Sequence, residues 1–293
     1  MTKQEARIAV IGGSGFYDFP DLEERREEWV ETPFGQPSDA IVTGRLAGRP
    51  VAFLPRHGRG HRISPTELPA RANIYALKQL GVEYIVSVSA CGSMKEEIAP
   101  LDVVIPNQLF DRTKARVSTF FDGGIVAHVS FADPFCADLG QILFQAATRA
   151  GARVHSGGTY ICMEGPQFST RAESRIYRQW GVDVIGMTAL PEAKLAREAE
   201  ICYATLAFVT DYDCWHETEE DVTVEMVIKT LLQNVETGKQ IIREALPHVG
   251  EAGGERACPC ASALENAILT QRDLIPPQAK ARLGILVRKY LGE

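Results

Sequence analysis

Short apolar runs of strand length alternate with longer segments of helical periodicity through most of the chain. The continuous apolar character of the short runs is typical of strands that are buried on both faces. We predict strands at 7–11, 50–55, 84–89, 102–106, 159–163, 183–187 and 203–210, and helices at 66–80, 134–150, 171–180, 190–200 and 224–245. Strands and helices in this alternation indicate an α/β fold.

Two parts of the chain depart from the alternation. Residues 113–133 carry Gly, Asp and aromatic residues without clean periodicity, which predicts an excursion or an interface loop. The C-terminal tail has a Gly- and Pro-rich stretch at 247–254, then Cys258-Pro-Cys260, and then helical spacing at 261–269 and 279–291. We therefore predict one α/β domain over residues 1–250, with residues 251–293 packed on the same domain as a loop and helices.

Composition and charge narrow the class of function. With 45% hydrophobic and 24% charged residues, the chain has the balance of a soluble globular protein. Its net charge of −7 argues against a nucleic-acid partner, because such affinity comes mainly from Lys and Arg on phosphates. Apolar stretches stay below the roughly 18 residues that a membrane span needs, and the first residues do not resemble a signal peptide. We therefore expect a cytoplasmic protein without a membrane partner.

Three predicted strand ends carry groups that suit an anion. Ile11-Gly-Gly-Ser-Gly15 could cradle a phosphate with its backbone amides and the Ser14 hydroxyl, although a tight turn is an equal alternative. The basic cluster from Arg56 to His61 suits phosphate oxygens, with a solvated loop as its alternative. At a third strand end, the small and hydroxyl residues of Val86–Ser93 would let a ligand approach main-chain amides, with a plain glycine turn as the alternative. The glycine run lacks the third glycine of the dinucleotide fingerprint, which disfavours a nucleotide-binding oxidoreductase.

Two further segments carry acidic or aromatic candidates. Glu164 lies beside a Gly-Pro turn, where it could accept from two ribose hydroxyls, and Phe168 could stack on a flat base; the plain alternative is a helix cap. Asp211 and Asp213 close the last apolar strand, and strand alternation predicts that both carboxyls lie on the same side. A carboxyl that crowding keeps protonated donates a hydrogen bond or a proton, whereas a surface turn is the plain alternative.

In this order, the segments resemble the trimeric purine nucleoside phosphorylase family, and in particular its branch that acts on S-methyl-5′-thioadenosine. The resemblance runs from about residue 7 to 245 and includes Thr32-Pro-Phe-Gly-Gln-Pro-Ser-Asp39, Ala90-Cys-Gly-Ser93, Glu164-Gly-Pro-Gln-Phe-Ser-Thr-Arg-Ala-Glu173, Met187-Thr188 and Thr210-Asp-Tyr-Asp-Cys-Trp215. It implies a single domain with a mixed central β-sheet flanked by helices. It also implies an enzyme that splits methylthioadenosine with inorganic phosphate into adenine and 5-methylthioribose 1-phosphate, without a metal or an organic cofactor.

The resemblance assigns site residues position by position. Phosphate binding falls on Ser14, Arg56, His57, Ser89, Ala90 and Thr188, with Ser14 and Ser89 at positions where the family often has threonine. The nucleoside contacts fall on Met187 for the ribose, Phe168 for the base, and Val224, Val227 and Ile228 for the 5′-methylthio group; the last three would also form one core face of an amphipathic helix.

Protonated Asp211 is expected to donate to adenine N7, while Asp213 helps to hold the exocyclic amine. A donor at N7 stabilises the charge that develops on the leaving purine.

The aspartate pair also indicates which purine is preferred. An adenine edge offers an amine donor beside the N7 acceptor, whereas a 6-oxopurine offers two acceptors, so the carboxyl pair favours a 6-aminopurine. Two alternatives stay open: a phosphorylase of the same family that prefers methylthioinosine, inosine or guanosine, and a purine-binding protein without turnover.

Two features concern assembly and the cysteines. His128 matches a family histidine that reaches the neighbouring subunit's active site, which implies a homotrimer or a dimer of trimers. A lone histidine is more often an ordinary surface or interface residue. Cys258 and Cys260 resemble a C-x-C pair that forms a disulfide in some thermophilic members, with reduced thiols as the alternative. A metal site would need further ligands, which the sequence does not identify.

Overall fold

The computed structural model describes residues 6–13, 15–16, 19–216, 223–250 and 256–292. Within these ranges eleven strands form one mixed sheet flanked by helices, which confirms the predicted α/β fold. The strands are β1 Ile8–Gly12, β2 Glu23–Glu28, β3 Ile41–Leu46, β4 Arg49–Pro55, β5 Tyr84–Ser93, β6 Val103–Ile105, β7 Gln108–Arg112, β8 Val154–Ser156, β9 Thr159–Met163, β10 Val184–Gly186 and β11 Cys202–Asp211. The helices are α1 Ala70–Gln79, α2 Ala137–Arg149, α3 Arg171–Gln179, α4 Ala189–Glu198, α5 Val224–Ala245, α6 Pro277–Leu283 and α7 Arg288–Leu291.

The centre of the sheet consists of β4, β1, β5 and β11, which run parallel to one another. β11 follows β5 from Cys202 opposite Tyr84 to Asp211 opposite Gly92. Every residue of β1 and β11 is buried, as their continuous apolar runs predict. Because the four strands are parallel, their carboxyl ends meet at one edge of the sheet, where α/β proteins bind ligands.

Four strands were not predicted: β2, β3, β7 and β8. The clearest case is β2, whose sequence Glu-Glu-Arg-Arg-Glu-Glu has no apolar position and is almost entirely exposed. It pairs antiparallel with β3 at the end of the sheet. A charged edge strand of this kind hinders pairing with another chain, and it leaves no hydrophobic period in the sequence.

The helix predicted at 261–269 is wrong. The segment begins with a 3₁₀ turn at Pro259–Ser262 and continues as turns. Asn266 has φ of 63°, and Ile268 pairs with Ala127 in a β-bridge. This left-handed residue and the extended pairing after it prevent a regular helix.

The helix predicted at 279–291 is divided. Gly284 ends α6 with φ of 44°, and a 3₁₀ segment at Gly284–Leu286 separates α6 from α7. Leu283 and Leu286 of this region are nonetheless buried in the same hydrophobic core as the sheet residues. The described part of the tail therefore packs on the body, and none of the described helices is long and apolar enough to cross a membrane.

Candidate active site

A cavity of about 240 Å³ opens at the carboxyl edge of the four parallel strands. Three strands supply a lining residue at or just after their ends: Gly13 from β1, Arg56 from β4 and Asp211 from β11. The longer β5 lines the cavity with its second half, from Val88 to Gly92. The sheet thus brings candidate groups into one site although they lie far apart in the sequence.

One part of the cavity carries hydroxyl and basic groups. Five of the six residues assigned to phosphate line it, namely Arg56, His57, Ser89, Ala90 and Thr188, whereas Ser14 lies outside the described residues. Ser89 Oγ is 3.0 Å from Thr188 Oγ1 and 3.1 Å from the Tyr160 hydroxyl. Hydroxyls in this arrangement can turn their protons toward a bound anion.

Arg56 lies deep in the wall of the cavity and not in a solvated loop. Its guanidinium forms an ion pair with Glu192, with Nε 2.5 Å from Oε1, and both side chains are at most 3% exposed. Nη1 donates to the Val88 carbonyl at 2.8 Å, while Nη2 donates to Ser87 Oγ at 2.7 Å and to Glu192 Oε2 at 3.1 Å. These bonds use the N–H of Nε, one N–H of Nη1 and both N–H groups of Nη2. Counted over the described residues, the second N–H of Nη1 is therefore the donor that is left for a ligand.

His57 beside it is neutral near pH 7. Burial, reinforced by the charge of Arg56, lowers the pKa of His57 to about 4. Its Nδ1 lies 2.8 Å from the Ile63 carbonyl, so Nδ1 carries the proton and donates it there. The ring stacks on His61 with 4.2 Å between centroids. Nε2 is therefore the acceptor of the ring, and it suits a protonated phosphate oxygen.

The two aspartates meet at the cavity, but not by the predicted route. β11 ends at Asp211, and Asp213 lies in the following turn with φ of 53°, so strand alternation is wrong as the explanation. The turn instead aims the Asp213 N–H at Asp211 Oδ1, at 2.8 Å. Thr210 Oγ1 donates to Asp211 Oδ2 at 2.6 Å, and Ser169 Oγ donates to the Asp213 carboxylate at 2.7 Å. Both carboxyls line the cavity.

Asp211 is the acid that is better placed to hold a proton. Burial raises its pKa, and this effect outweighs the two hydrogen bonds that lower it; the charge of Asp213 raises it further. The carboxyl can approach the main chain of β5 because residue 92 is glycine: a Cβ there would lie 2.8 Å from Asp211 Oδ1. Sequence reasoning identified small residues here but not this contact.

The nucleoside residues are partly brought together. Phe168, Met187 and Val227 line the cavity, and Phe168 is 43% exposed. Val224 and Ile228 lie outside the lining, at 62% and 51% exposure. Val224 is the first residue of α5, beyond the cavity, and Ile228 is rotated about 100° from Val227 around the helix. One turn further along α5, Leu231 takes the position that they were expected to fill.

Glu164 has a different task from the predicted contact with ribose. It is outside the cavity lining and accepts hydrogen bonds from Thr66 Oγ1, at 2.6 Å, and from the N–H of Lys114. Beside it, the buried Arg116 donates to the carbonyls of Met187 and Leu190, both at 2.6 Å. These bonds fix the chain around Met187. No sequence pattern indicates this role for Arg116, which lies in the non-periodic segment 113–133.

Two assigned features lie away from this cavity. His128 is exposed, and its backbone N–H donates to the Ala267 carbonyl at 2.9 Å. The role of its side chain at a neighbouring subunit's site stays a prediction. Cys258 and Cys260 are free thiols in the structure, and their disulfide also stays a prediction.

Comparisons with known proteins agree on one group. A family model described as the phosphorylase superfamily matches residues 7–247. The chain is 59% identical to the S-methyl-5′-thioadenosine phosphorylase of Geobacter sulfurreducens, over 98% of this chain and 100% of the relative. Among solved structures, a methylthioadenosine phosphorylase from an antarctic soil metagenomic library superposes with a TM-score of 0.92 at 52% identity, covering 97% of this chain and 99% of that one. The methylthioadenosine phosphorylase of Schistosoma mansoni in complex with adenine gives a TM-score of 0.80 at 41% identity, covering 83% and 92%.

Proposed function

Because the chain belongs to the phosphorylase superfamily, and within it to the S-methyl-5′-thioadenosine phosphorylases, we propose that it cleaves S-methyl-5′-thioadenosine with inorganic phosphate. The products are adenine and 5-methylthioribose 1-phosphate. The observation that carries this proposal is one cavity lined both by anion-binding groups and by a buried carboxyl pair.

Phosphate binds against Arg56, His57 and the hydroxyls of Ser89 and Thr188. The remaining Nη1 donor of Arg56 and the two hydroxyls donate to its oxygens, while Nε2 of the neutral His57 accepts from its O–H. Glu192 compensates the Arg56 charge, so the site stays polar without carrying an isolated buried cation. Phosphate held here is oriented to attack C1′ of the ribose.

The purine leaves toward the aspartates. As the N9–C1′ bond breaks, its electron pair moves into the purine, and protonated Asp211 donates to N7. Asp213 accepts from the exocyclic amine. Phosphate forms the new C1′–O bond and loses one proton as it becomes a sugar phosphate. Adenine gains one proton as it leaves, so the reaction neither releases nor consumes protons overall.

Burial of the methylthio group supplies the preference over a 5′-hydroxyl. Val227 and Leu231 of α5 offer an apolar wall to the cavity, and a thioether gains from such burial whereas a hydroxyl loses hydrogen bonds. Phe168 lies against the base. The reaction as proposed needs no metal and no organic cofactor, since phosphate is the co-substrate.

We also propose that the chain acts as a homotrimer, or as a dimer of trimers, in the cytoplasm. The exposed His128 supports an incomplete single-chain site, because the family histidine at this position reaches the neighbouring subunit. The seven free thiols support a reducing compartment.

The direct test is product analysis with methylthioadenosine, in the presence and absence of phosphate. We expect a new sugar-phosphate resonance in the phosphorus NMR spectrum, formed in equal amount to free adenine. Adenine release without phosphate would instead indicate a hydrolase, and binding without release would indicate a purine-binding protein.

A further inference from the structure

Four cysteines from three separate parts of the chain converge at the end of β11 that lies away from the cavity. Cys136 immediately precedes α2, Cys202 begins β11, and Cys258 and Cys260 flank Pro259 in the tail. Their sulfur atoms all lie within 4.8 Å of one another, and those of Cys202 and Cys258 are 3.3 Å apart. No sequence pattern predicts this grouping, because only the last two residues are close in the chain.

The spacing fits a shell of four metal ligands. A tetrahedral Zn²⁺ with Zn–S bonds of about 2.3 Å places its sulfurs about 3.8 Å apart, whereas a disulfide needs about 2 Å. A tetrahedron of sulfur donors is the arrangement that zinc prefers in structural sites.

The two ligands from the body are held in place by the main chain. The N–H of Cys136 donates to the Tyr203 carbonyl at 2.8 Å, and the N–H of Cys202 donates to the Glu83 carbonyl at 2.9 Å. Three of the four cysteines are buried, and Cys258 is half-buried. Half of the shell is thus part of the rigid sheet region, and the tail supplies the other half.

The surroundings suit a negatively charged complex. Zn²⁺ with four thiolates carries a charge of about −2. The guanidinium of Arg256 lies against the cluster, with Nη1 3.9 Å from Cys202 Sγ, and the same group donates to the Glu200 carbonyl at 2.7 Å. A fixed cation at this distance offsets part of the negative charge that remains on the zinc–thiolate complex.

We propose that Cys136, Cys202, Cys258 and Cys260 bind one Zn²⁺ ion that fastens the C-terminal tail to the sheet. Binding replaces four S–H bonds by four Zn–S bonds and releases four protons, without any change of oxidation state. The ion is structural and not catalytic, since the nine residue steps from Cys202 to Asp211 put it roughly 30 Å from the purine end of the cavity. The C-x-C pair then serves as two ligands and not as a disulfide.

The first test uses the wild-type chain, purified with a reductant and then dialysed. Elemental analysis is expected to find about one Zn²⁺ per chain. Metal-free protein titrated with Co²⁺ should develop the thiolate-to-cobalt charge-transfer band and the visible bands of a tetrahedral site, and release about four protons per ion. Absence of retained zinc together with absence of the cobalt spectrum overturns the proposal, as does an intact mass that shows disulfides in the purified chain.

Variants give the second test. The two variants are Cys258→Ser, at the half-buried position of the tail, and Cys136→Ser. Each is expected to lower zinc affinity at least about ten-fold and to lower the melting temperature. The kcat for methylthioadenosine should stay within about two-fold of wild type. Cys162→Ala is the matched control, because Cys162 is a buried thiol outside the cluster and should retain zinc. If Cys136→Ser does not fold, Cys258→Ser decides alone; wild-type zinc affinity in that variant contradicts the proposal.

Discussion

At the scale of single residues, the site depends on Arg56 and Asp211 at the strand ends and on the side chains of Glu192 and Arg116, which hold the surrounding groups in place. Arg56 and Asp211 follow recognisable apolar runs, so the sequence places them at the edge of a sheet. Glu192 and Arg116 have no such signal, because each acquires its role only from partners that are distant in the chain. Charge compensation and backbone positioning are tertiary properties.

Gly92→Ala tests how closely the carboxyl is placed. The added Cβ would lie 2.8 Å from Asp211 Oδ1 and displace the carboxyl from the position in which we propose that it donates to N7. A shift of about 1 Å in a reacting group costs on the order of 100-fold in rate, so kcat/KM for methylthioadenosine should fall by about that factor while the circular dichroism spectrum is kept.

The matched control is Gly140→Ala in α2. A Cβ there meets only Ile105 Cγ2, at an ordinary 3.6 Å, so activity should stay at the wild-type value. Equal activities of the two variants would show that the position of Asp211 does not depend on Gly92.

At the scale of elements, the periodic pattern of apolar residues determined which strands and helices could be predicted. β1, β5 and β11 were found because their own residues form apolar runs that are buried on both faces. The charged β2 owes its conformation to pairing with β3. The helix predicted at 261–269 was wrong for the opposite reason. These residues have apolar spacing of helical period, yet the pairing of Ile268 with Ala127 imposes an extended backbone. Local period predicts an element only where tertiary contacts agree with it.

Glu198 makes α4 a pH-dependent element. Its Oε1 accepts from Thr119 Oγ1 and its Oε2 from the Phe120 N–H, both at 2.7 Å, and burial raises its pKa to about 7. The folded state therefore keeps this proton at a pH where the unfolded chain, with a pKa near 4.5, has lost it. The stabilisation is complete below that unfolded pKa and is lost as pH rises to about 7, at a cost of about 3 kcal/mol.

We expect Glu198→Gln to remove this dependence, since the amide keeps a carbonyl acceptor and does not ionise. In urea unfolding at pH 5 and pH 8, the variant should gain stability relative to wild type at the higher pH. His57 acts in the opposite direction between about pH 6.5 and 4, but it is present in both proteins and cancels from the comparison. Parallel behaviour of the two proteins at both pH values would contradict the raised pKa; Glu236→Gln, at an exposed position of α5, serves as the control.

At the scale of the whole molecule, the sequence predicted the architecture but not the convergence of distant segments. The cysteines from α2, β11 and the tail meet only after the sheet is formed. The proposed contribution of His128 to a neighbouring site likewise depends on contacts between chains, which the sequence of one chain does not predict.

Subunit complementation tests the proposal that neighbouring subunits share a site. Asp211→Asn removes the acid of a chain's own site, whereas His128→Ala removes the contribution to a neighbour's site. When the two inactive or weakened variants are refolded together, trimers that pair an intact Asp211 with an intact His128 should recover activity. Separately refolded variants mixed without exchange are the control, and a mixture no more active than their sum would contradict a shared site.

The most direct measurement is base release from methylthioadenosine, adenosine, methylthioinosine and inosine, each with and without phosphate, for the wild type and for Asp211→Asn. We expect phosphate-dependent release that is fastest from methylthioadenosine, and a fall of about 10²–10⁴-fold in the variant because an amide cannot give its proton to N7. Faster release of hypoxanthine from methylthioinosine, or wild-type rates in Asp211→Asn, would contradict the proposed phosphorolysis of a 6-aminopurine nucleoside.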